Sequence, residues 1–306
     1  MSWVSGAAGS SAVRGLVVGP LRPARVVLAV PAAIYLELEP DRAAGRQVPA
    51  QVVAVLGPCA VRVPVGIVAG SDGEPGARPF DPVHLGAPGH VGSGEVRLGR
   101  QSWRVGRWWS PDVPALGPSG PDAGRVADLV GRVPPGSGIT GRGEAALAVA
   151  LHRLDGAGLA AAATGLVGLG EGLTPEGDDV LAGVLVALAA LDGEGQPGGA
   201  RPGGAGAAAS SAPGRARHVL AAAVRERQAG TTRVSAALLE QATLGRAIPE
   251  LVALLRWCAP HPASRRGGAS GGLEVLERLL AVGHSSGAAL ARGMLLGLTE
   301  TGEAAP

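Results

Sequence analysis

Over the first third of the chain, apolar residues fall in short β-rich runs; after that they recur at helical spacing. Residues 25–38 read RVVLAVPAAIYLEL, broken at Pro31, and residues 51–56 and 60–69 repeat that character with PVG at 64–66 as punctuation. Residues 95–109 hold EVRLG followed by SWRVGRWW. These runs predict short strands joined by turns, a mostly antiparallel β-rich domain over residues 12–110 in which 70–93 is a long Gly/Pro loop. Beyond Pro111 the pattern predicts helices over 125–133, 143–154, 158–165 and 216–229, then one opened by Thr231 or Thr232 with Val234, Leu238 and Leu239 at helical spacing. The expected fold class is α+β, a β-rich N-terminal domain followed by a mostly α-helical domain over 111–300. Residues 192–213 and 260–272 are Gly/Ala/Pro/Ser stretches that cannot bury a core, and are read as disordered surface inserts.

The most informative stretch is 168–188, GLGEGLTPEGDDVLAGVLVAL. Glycines at 168, 170, 172 and 177 let backbone come close to a ligand. Thr174 is a candidate N-cap, Pro175 suits the first helical position, and Glu176, Asp178 and Asp179 suit the positive end of a helix dipole. The helix that follows is apolar on every side, which predicts burial. Its acidic first turn is then carried inside, where carboxylates need partners, a metal or a polar ligand. At helical spacing Asp178 and Asp179 point in different directions, so one of the two is expected to face a ligand. A bare phosphate cradle is disfavoured, because Pro175 removes an amide donor and three acids repel an anion. Two functional readings stay open, Mg²⁺ held by Asp178 and Asp179, or hydrogen bonds accepted from a substrate amide. Beside them stands a purely structural one, in which the acids bond to other loops.

Two later stretches have similar texture. In GTTRVSAALLEQATLG at 230–245, Thr231 and Thr232 either contact ligand or simply cap a helix, and Arg233 pairs with a phosphate, with an acid or with solvent. In GHSSGAALARGMLLGL at 283–298, His284, Ser285, Ser286 and Gly287 precede a second apolar helix, with serine and amide donors that the acidic loop lacks. His284 is a candidate proton carrier, with capping or packing as the plainer alternative. Gly177 and Gly183 stand six apart, as do Gly287 and Gly293, a hint of related halves.

GLGEGLTPEGDDVLAG closely resembles the signature of the oxamate carbamoyltransferase subunit AllH family, and the stretches at 230–245 and 283–298 are similar to that family in the same order. The resemblance implies a subunit that works with companion subunits to exchange a carbamoyl group between carbamoyl phosphate and oxamate, giving oxalurate and phosphate in purine-ring nitrogen salvage. The candidate catalytic residues are Asp178 and Asp179, with Mg²⁺ as candidate cofactor. The candidate substrate-binding residues are Gly170, Gly172, Thr174, Gly177, Thr231, Thr232, Arg233, His284, Ser285, Ser286 and Gly287. The sequence departs from the family pattern at Ala289, where an acid is expected, and at Arg292, which is larger than expected. Alternatives are a non-catalytic assembly subunit, or an independent enzyme acting on another amide or phosphorylated metabolite.

Composition narrows the partners. The net charge is +2, every basic residue is Arg, and no Arg-rich run exceeds short pairs such as Arg265-Arg266, so nucleic acid is not expected. Cys59 and Cys258 form no CxxC, and the longest apolar runs fall short of the ~20 residues a membrane helix needs. A cytoplasmic protein with a small-molecule substrate, and without a membrane segment, is the expectation. Trp103, Trp108 and Trp109 are read as core or interface anchors rather than a ligand wall, and His84 and His90 as solvated loop residues.

Overall fold

The computed structural model describes residues 3–40, 51–70, 80, 83–193, 211–260 and 269–301. The chain divides into two compact units, Met1–Pro111 and Asp112–Pro306, a β-rich one followed by a helical one.

The first unit is a closed eight-stranded barrel. Its strands are β1 (Trp3–Ser10), β2 (Arg22–Val30), β3 (Ala33–Leu38), β4 (Val52–Leu56), β5 (Gly66–Ala69), β6 (Pro88–Gly92), β7 (Glu95–Leu98) and β8 (Gln101–Trp109), with a short helix α1 (Arg14–Val18) after β1. They neighbour one another in the order β1-β5-β4-β3-β2-β6-β7-β8. β1 closes the barrel by pairing parallel with β8; β4 and β5 are also parallel, and the other pairs are antiparallel. Closure leaves no exposed edge to aggregate. Ile34, Leu36, Val53, Val55, Ile67, Val91 and Val96 fill the inside, and Phe80 meets Trp103 edge-on at 6.1 Å.

Three expectations change here. The β structure begins at Trp3, ahead of the 12–110 range. The run broken at Pro31 is a hairpin of two strands, β2 and β3. Within the stretch read as a loop over 70–93, residues 88–92 are strand β6; 71–79 and 81–82 lie outside the described residues.

The second unit contains α2 (Ala123–Val130), α3 (Gly141–His152), α4 (Gly156–Leu166), α5 (Glu176–Asp192), α6 (Ala212–Arg227), α7 (Arg233–Thr243), α8 (Pro249–Cys258), α9 (Ala269–Leu280) and α10 (Ser286–Glu300). Most of the stretch read as a 192–213 insert falls outside the described residues, but α5 runs to Asp192 and α6 begins at Ala212, capped by the Ser211 hydroxyl. Likewise α9 begins inside the 260–272 range, of which 261–268 are not described. Helix α5 is buried from Glu176 to Ala190 except at Ala182, as its all-round apolar sequence predicts. It packs against α4, α6, α7 and α10.

The segments α4–α5 and α9–α10 repeat one construction. Leu166 O accepts from Leu169 N at 3.0 Å and Leu169 O from Gly177 N at 2.8 Å; Leu279 O accepts from Val282 N at 3.0 Å and Val282 O from Gly287 N at 2.9 Å. In each turn the next residue is a glycine with left-handed φ, Gly170 at 113° and Gly283 at 61°. A Cβ at Gly177 would stand 2.2 Å from the Leu166 carbonyl oxygen, and one at Gly287 would stand 1.9 Å from that of Leu279. Six residues on, α5 and α10 cross backbone to backbone: a Cβ at Gly183 would lie 2.3 Å from Leu290 O, and one at Gly293 would lie 2.0 Å from Val180 O. The six-residue glycine spacing therefore has a steric cause.

Candidate functional site

The first turn of α5 carries three buried acids, Glu176, Asp178 and Asp179, and their surroundings differ. Pro175, with φ −52° and ψ 143°, is extended, so it is the flanking residue and the helix starts at Glu176. Thr174 is consequently not the N-cap. Its hydroxyl instead meets the Ser286 hydroxyl at the start of α10, 2.9 Å away.

Asp178 is 1% exposed and fully committed. Oδ1 accepts from Gly168 N at 2.8 Å, and Oδ2 accepts from the Ser235 hydroxyl at 2.6 Å and from the Thr231 hydroxyl. Three donors from two other segments make it a clamp that ties the glycine loop and the start of α7 to α5. Thr231 therefore serves Asp178. Thr232 is the N-cap of α7, accepting from Ser235 N at 3.0 Å and donating to Leu173 O at 2.6 Å.

Glu176 accepts from Ser137 N at 3.0 Å, from the Ser137 hydroxyl and from the Arg292 guanidinium. Burial penalises its charge most, but the hydrogen bonds from Ser137 and the charge of Arg292 together outweigh that and hold its carboxyl below the usual range. Arg292 also bonds Glu144, 3.2 Å away, whose other donor is the Thr140 hydroxyl at 2.8 Å. The large residue at 292 is thus the partly buried counter-ion of two acids.

Asp179 is the exception. It is 8% exposed, and among the described residues its buried Oδ2 has no hydrogen-bond partner. Burial pushes its carboxyl up to about 7; hydrogen bonds from Ser286 and Thr174 pull it back, while the charges of Asp178 and Glu176 push it further up. A carboxyl that is half ionised near neutrality, with one oxygen unsatisfied, is suited to moving a proton or holding a polar ligand.

The remaining predicted residues divide by role. Gly170 is half-buried against Glu176, and Gly172 is exposed with open space around it. Gly177 and Gly287 are packing positions, as described above. Arg233, His284 and Ser285 are exposed, and the Ser285 side chain makes no capping bond. The structure brings together Asp179, Thr174 and Ser286, and separately Asp178, Thr231 and Ser235. Sequence reasoning missed Ser235, Ser137, Glu144 and the structural use of Glu176 and Arg292. Ser235 lies within the 230–245 motif, one helical turn after Thr231, which was the available signal.

The acids do not form a cation site. Asp178 and Glu176 are occupied by protein donors and only Asp179 offers a free oxygen; among the described residues no group of three or more His, Cys, Asp or Glu side chains is placed to hold a metal ion. Mg²⁺ does not fit these side chains. Among the described residues no helix is long and apolar enough to cross a membrane.

Residues 166–298 match the family model described as "Oxamate carbamoyltransferase subunit AllH". The resemblance read from the motifs is therefore shown over a stretch that includes the signature loop and the 230–245 and 283–298 segments. Comparisons with curated proteins and with solved structures give no significant match.

Proposed function

We propose that this chain is a subunit of an oxamate carbamoyltransferase and that Asp179 acts on the amide of the substrate. The observation that carries the proposal is the buried, unpartnered Oδ2 of Asp179 between the starts of α5 and α10, within the stretch that matches the family. Three acids and an already doubly paired Arg292 make this position hostile to phosphate or carboxylate, whereas an amide N–H₂ offers the donor that Oδ2 lacks.

In the transfer direction the oxamate nitrogen attacks the carbamoyl carbon of carbamoyl phosphate. A C–N bond forms, the C–O bond to phosphate breaks, and the nitrogen gives up one proton. Amide nitrogen is a poor nucleophile, so a base beside its N–H contributes directly to the barrier. Asp179 accepts that proton at Oδ2 and passes it to the departing phosphate; in phosphorolysis the protonated carboxyl returns it. A carboxyl poised near 7 serves both directions. Thr174 and Ser286 orient it, and Asp178 fixes the loop from which Thr174 projects. The anionic ends of the substrates lie away from these acids, on groups that companion subunits contribute.

The experiment is oxalurate phosphorolysis with the companion subunits reconstituted with and without this chain, wild type or Asp179→Asn. Activity that requires the chain and falls at least about 100-fold in the variant, a typical general acid–base contribution, is the expected result. Activity that requires the chain but survives Asp179→Asn would make it an assembly subunit. No activity with all subunits folded and assembled would point to another amide or phosphorylated metabolite.

A further inference from the structure

The barrel carries a second feature that the proposal above leaves unused. A groove of about 820 Å³ runs over β5, β1 and β8. Its floor is almost bare of side chains, with Gly6 and Ala8 on β1, Gly70 after β5 and Gly106 on β8. Gly106 is the residue skipped where the β1–β8 register shifts, since Ala7 faces Val105 and Ala8 faces Arg107. Elsewhere in the barrel, glycines are required by packing: a Cβ at Gly9 would stand 2.8 Å from the Trp108 ring and one at Gly89 would stand 2.7 Å from Leu36. At Gly6 and Gly106 a Cβ would meet nothing within 4 Å. Their bareness serves open space outside the barrel rather than a contact within it.

Three arginines, Arg62, Arg104 and Arg107, line this groove; all are exposed, and none enters an ion pair among the described residues. Arg104 stands opposite Glu95 in the β7–β8 pairing and its charge acts on that carboxylate, which Arg97 already pairs, so among the described residues the groove keeps an excess of positive charge, on a chain whose net charge is only +2. The half-buried Trp108 and Trp109 also line it. Arg14 stacks on Trp108, 5.6 Å from the ring centre, and the buried Trp109 Nε1–H has no acceptor among the described residues. Guanidinium groups match phosphate oxygens in pairs, indoles offer flat apolar area with one donor, and the volume is that of a small-molecule site.

We infer that the barrel binds a phosphorylated ligand with a planar ring, of the mononucleotide class, its phosphates on Arg62, Arg104 and Arg107 and its ring against Trp109, since Trp108 packs against Gly9 and Arg14. A free anion would leave the Trp109 indole unused. A nucleic-acid strand would need a track longer than one concavity.

The test titrates the full chain with ADP, inorganic phosphate, adenosine and an oligothymidylate, following tryptophan emission and calorimetric heat. Saturable ADP binding that quenches emission, at least about tenfold tighter than phosphate or adenosine alone, is expected. Arg104→Gln with Arg107→Glu should weaken it by at least about 30-fold, two charge-assisted contacts being lost; glutamine at 104 avoids setting a second acid opposite Glu95. Arg62→Glu, on the connection before β5, should weaken it independently should the double variant fail to fold. The inference is overturned by absence of saturable ADP binding, by phosphate binding as tightly as ADP, by substitutions of these arginines that leave ADP binding intact, or by an oligonucleotide that binds far more tightly than ADP. None of these outcomes bears on Asp179.

Discussion

The turn that leads into α5 and the turn that leads into α10 use the same backbone device and differ in what they carry. Each runs from a leucine carbonyl through a turn to a glycine that lets the chain cross its predecessor, and each helix then crosses the other at a second glycine. Gly177 follows Leu169 by eight positions, but Gly287 follows Val282 by only five. After Gly177 come Asp178 and Asp179; after Gly287 come Ala288 and Ala289. The repeat supplies rigid geometry twice, and the longer first turn with its acids supplies the chemistry once. The second turn lends only Ser286 and, nearly two helical turns later, Arg292.

The largest way to break this comparison is to fill the crossing. Gly183→Val and Gly293→Val each drive a side chain into a carbonyl of the other helix with no flexible group to yield, and should cost at least about 3 kcal/mol, read as loss of the helical unit's melting transition. Next is Asp178→Ala, which strands the buried Ser235 hydroxyl and the Gly168 amide; a loss of roughly 3 kcal/mol is expected in denaturant titration, with activity falling in proportion to the folded fraction.

Asp179→Asn should act in the opposite sense. With its carboxyl raised from 3.8 to about 7, the folded protein holds a proton that the unfolded chain has released, so this group's contribution to stability falls as pH rises from about 4 to 7 and levels off above that. The shift corresponds to at most roughly 4 kcal/mol. Asparagine has no such slope, so the variant should be the more stable protein at pH 8 while losing turnover. Ser286→Ala should be milder, about 1 kcal/mol in stability. Because it removes a bond that favours the carboxylate, it should also move the pH inflection of the transfer reaction upward. His284→Ala, at an exposed position, should change stability by less than about 0.5 kcal/mol and leave the pH profile where it was.

Parts of this were legible in the chain before folding. An all-round apolar helix announces its own burial, and with it the problem of the acids on its first turn. The spacing of Asp178 and Asp179 already sends them in different directions. Which of them is free was not legible, because the donors that occupy Asp178 come from residues 168, 231 and 235, and the cation beside Glu176 comes from position 292. Thr174 looks like a cap because Pro usually begins a helix; here the extended ψ of Pro175 sets it outside and releases the threonine toward Ser286. Closure of the barrel was hidden for a related reason. It depends on a parallel pairing between residues 3–10 and 101–109, and WVSGAAGS carries too few branched or aromatic residues to announce a strand.

The most direct test of the division of labour is thermal melting and oxalurate phosphorolysis measured together at pH 8 for Asp178→Asn and Asp179→Asn in the reconstituted complex. The account predicts that Asp178→Asn lowers the melting temperature, whereas Asp179→Asn raises it and loses at least about 100-fold in turnover. If Asp179→Asn lowers the melting temperature as much as Asp178→Asn does, with turnover following the folded fraction in both, Asp179 is a structural cap and the central claim is wrong.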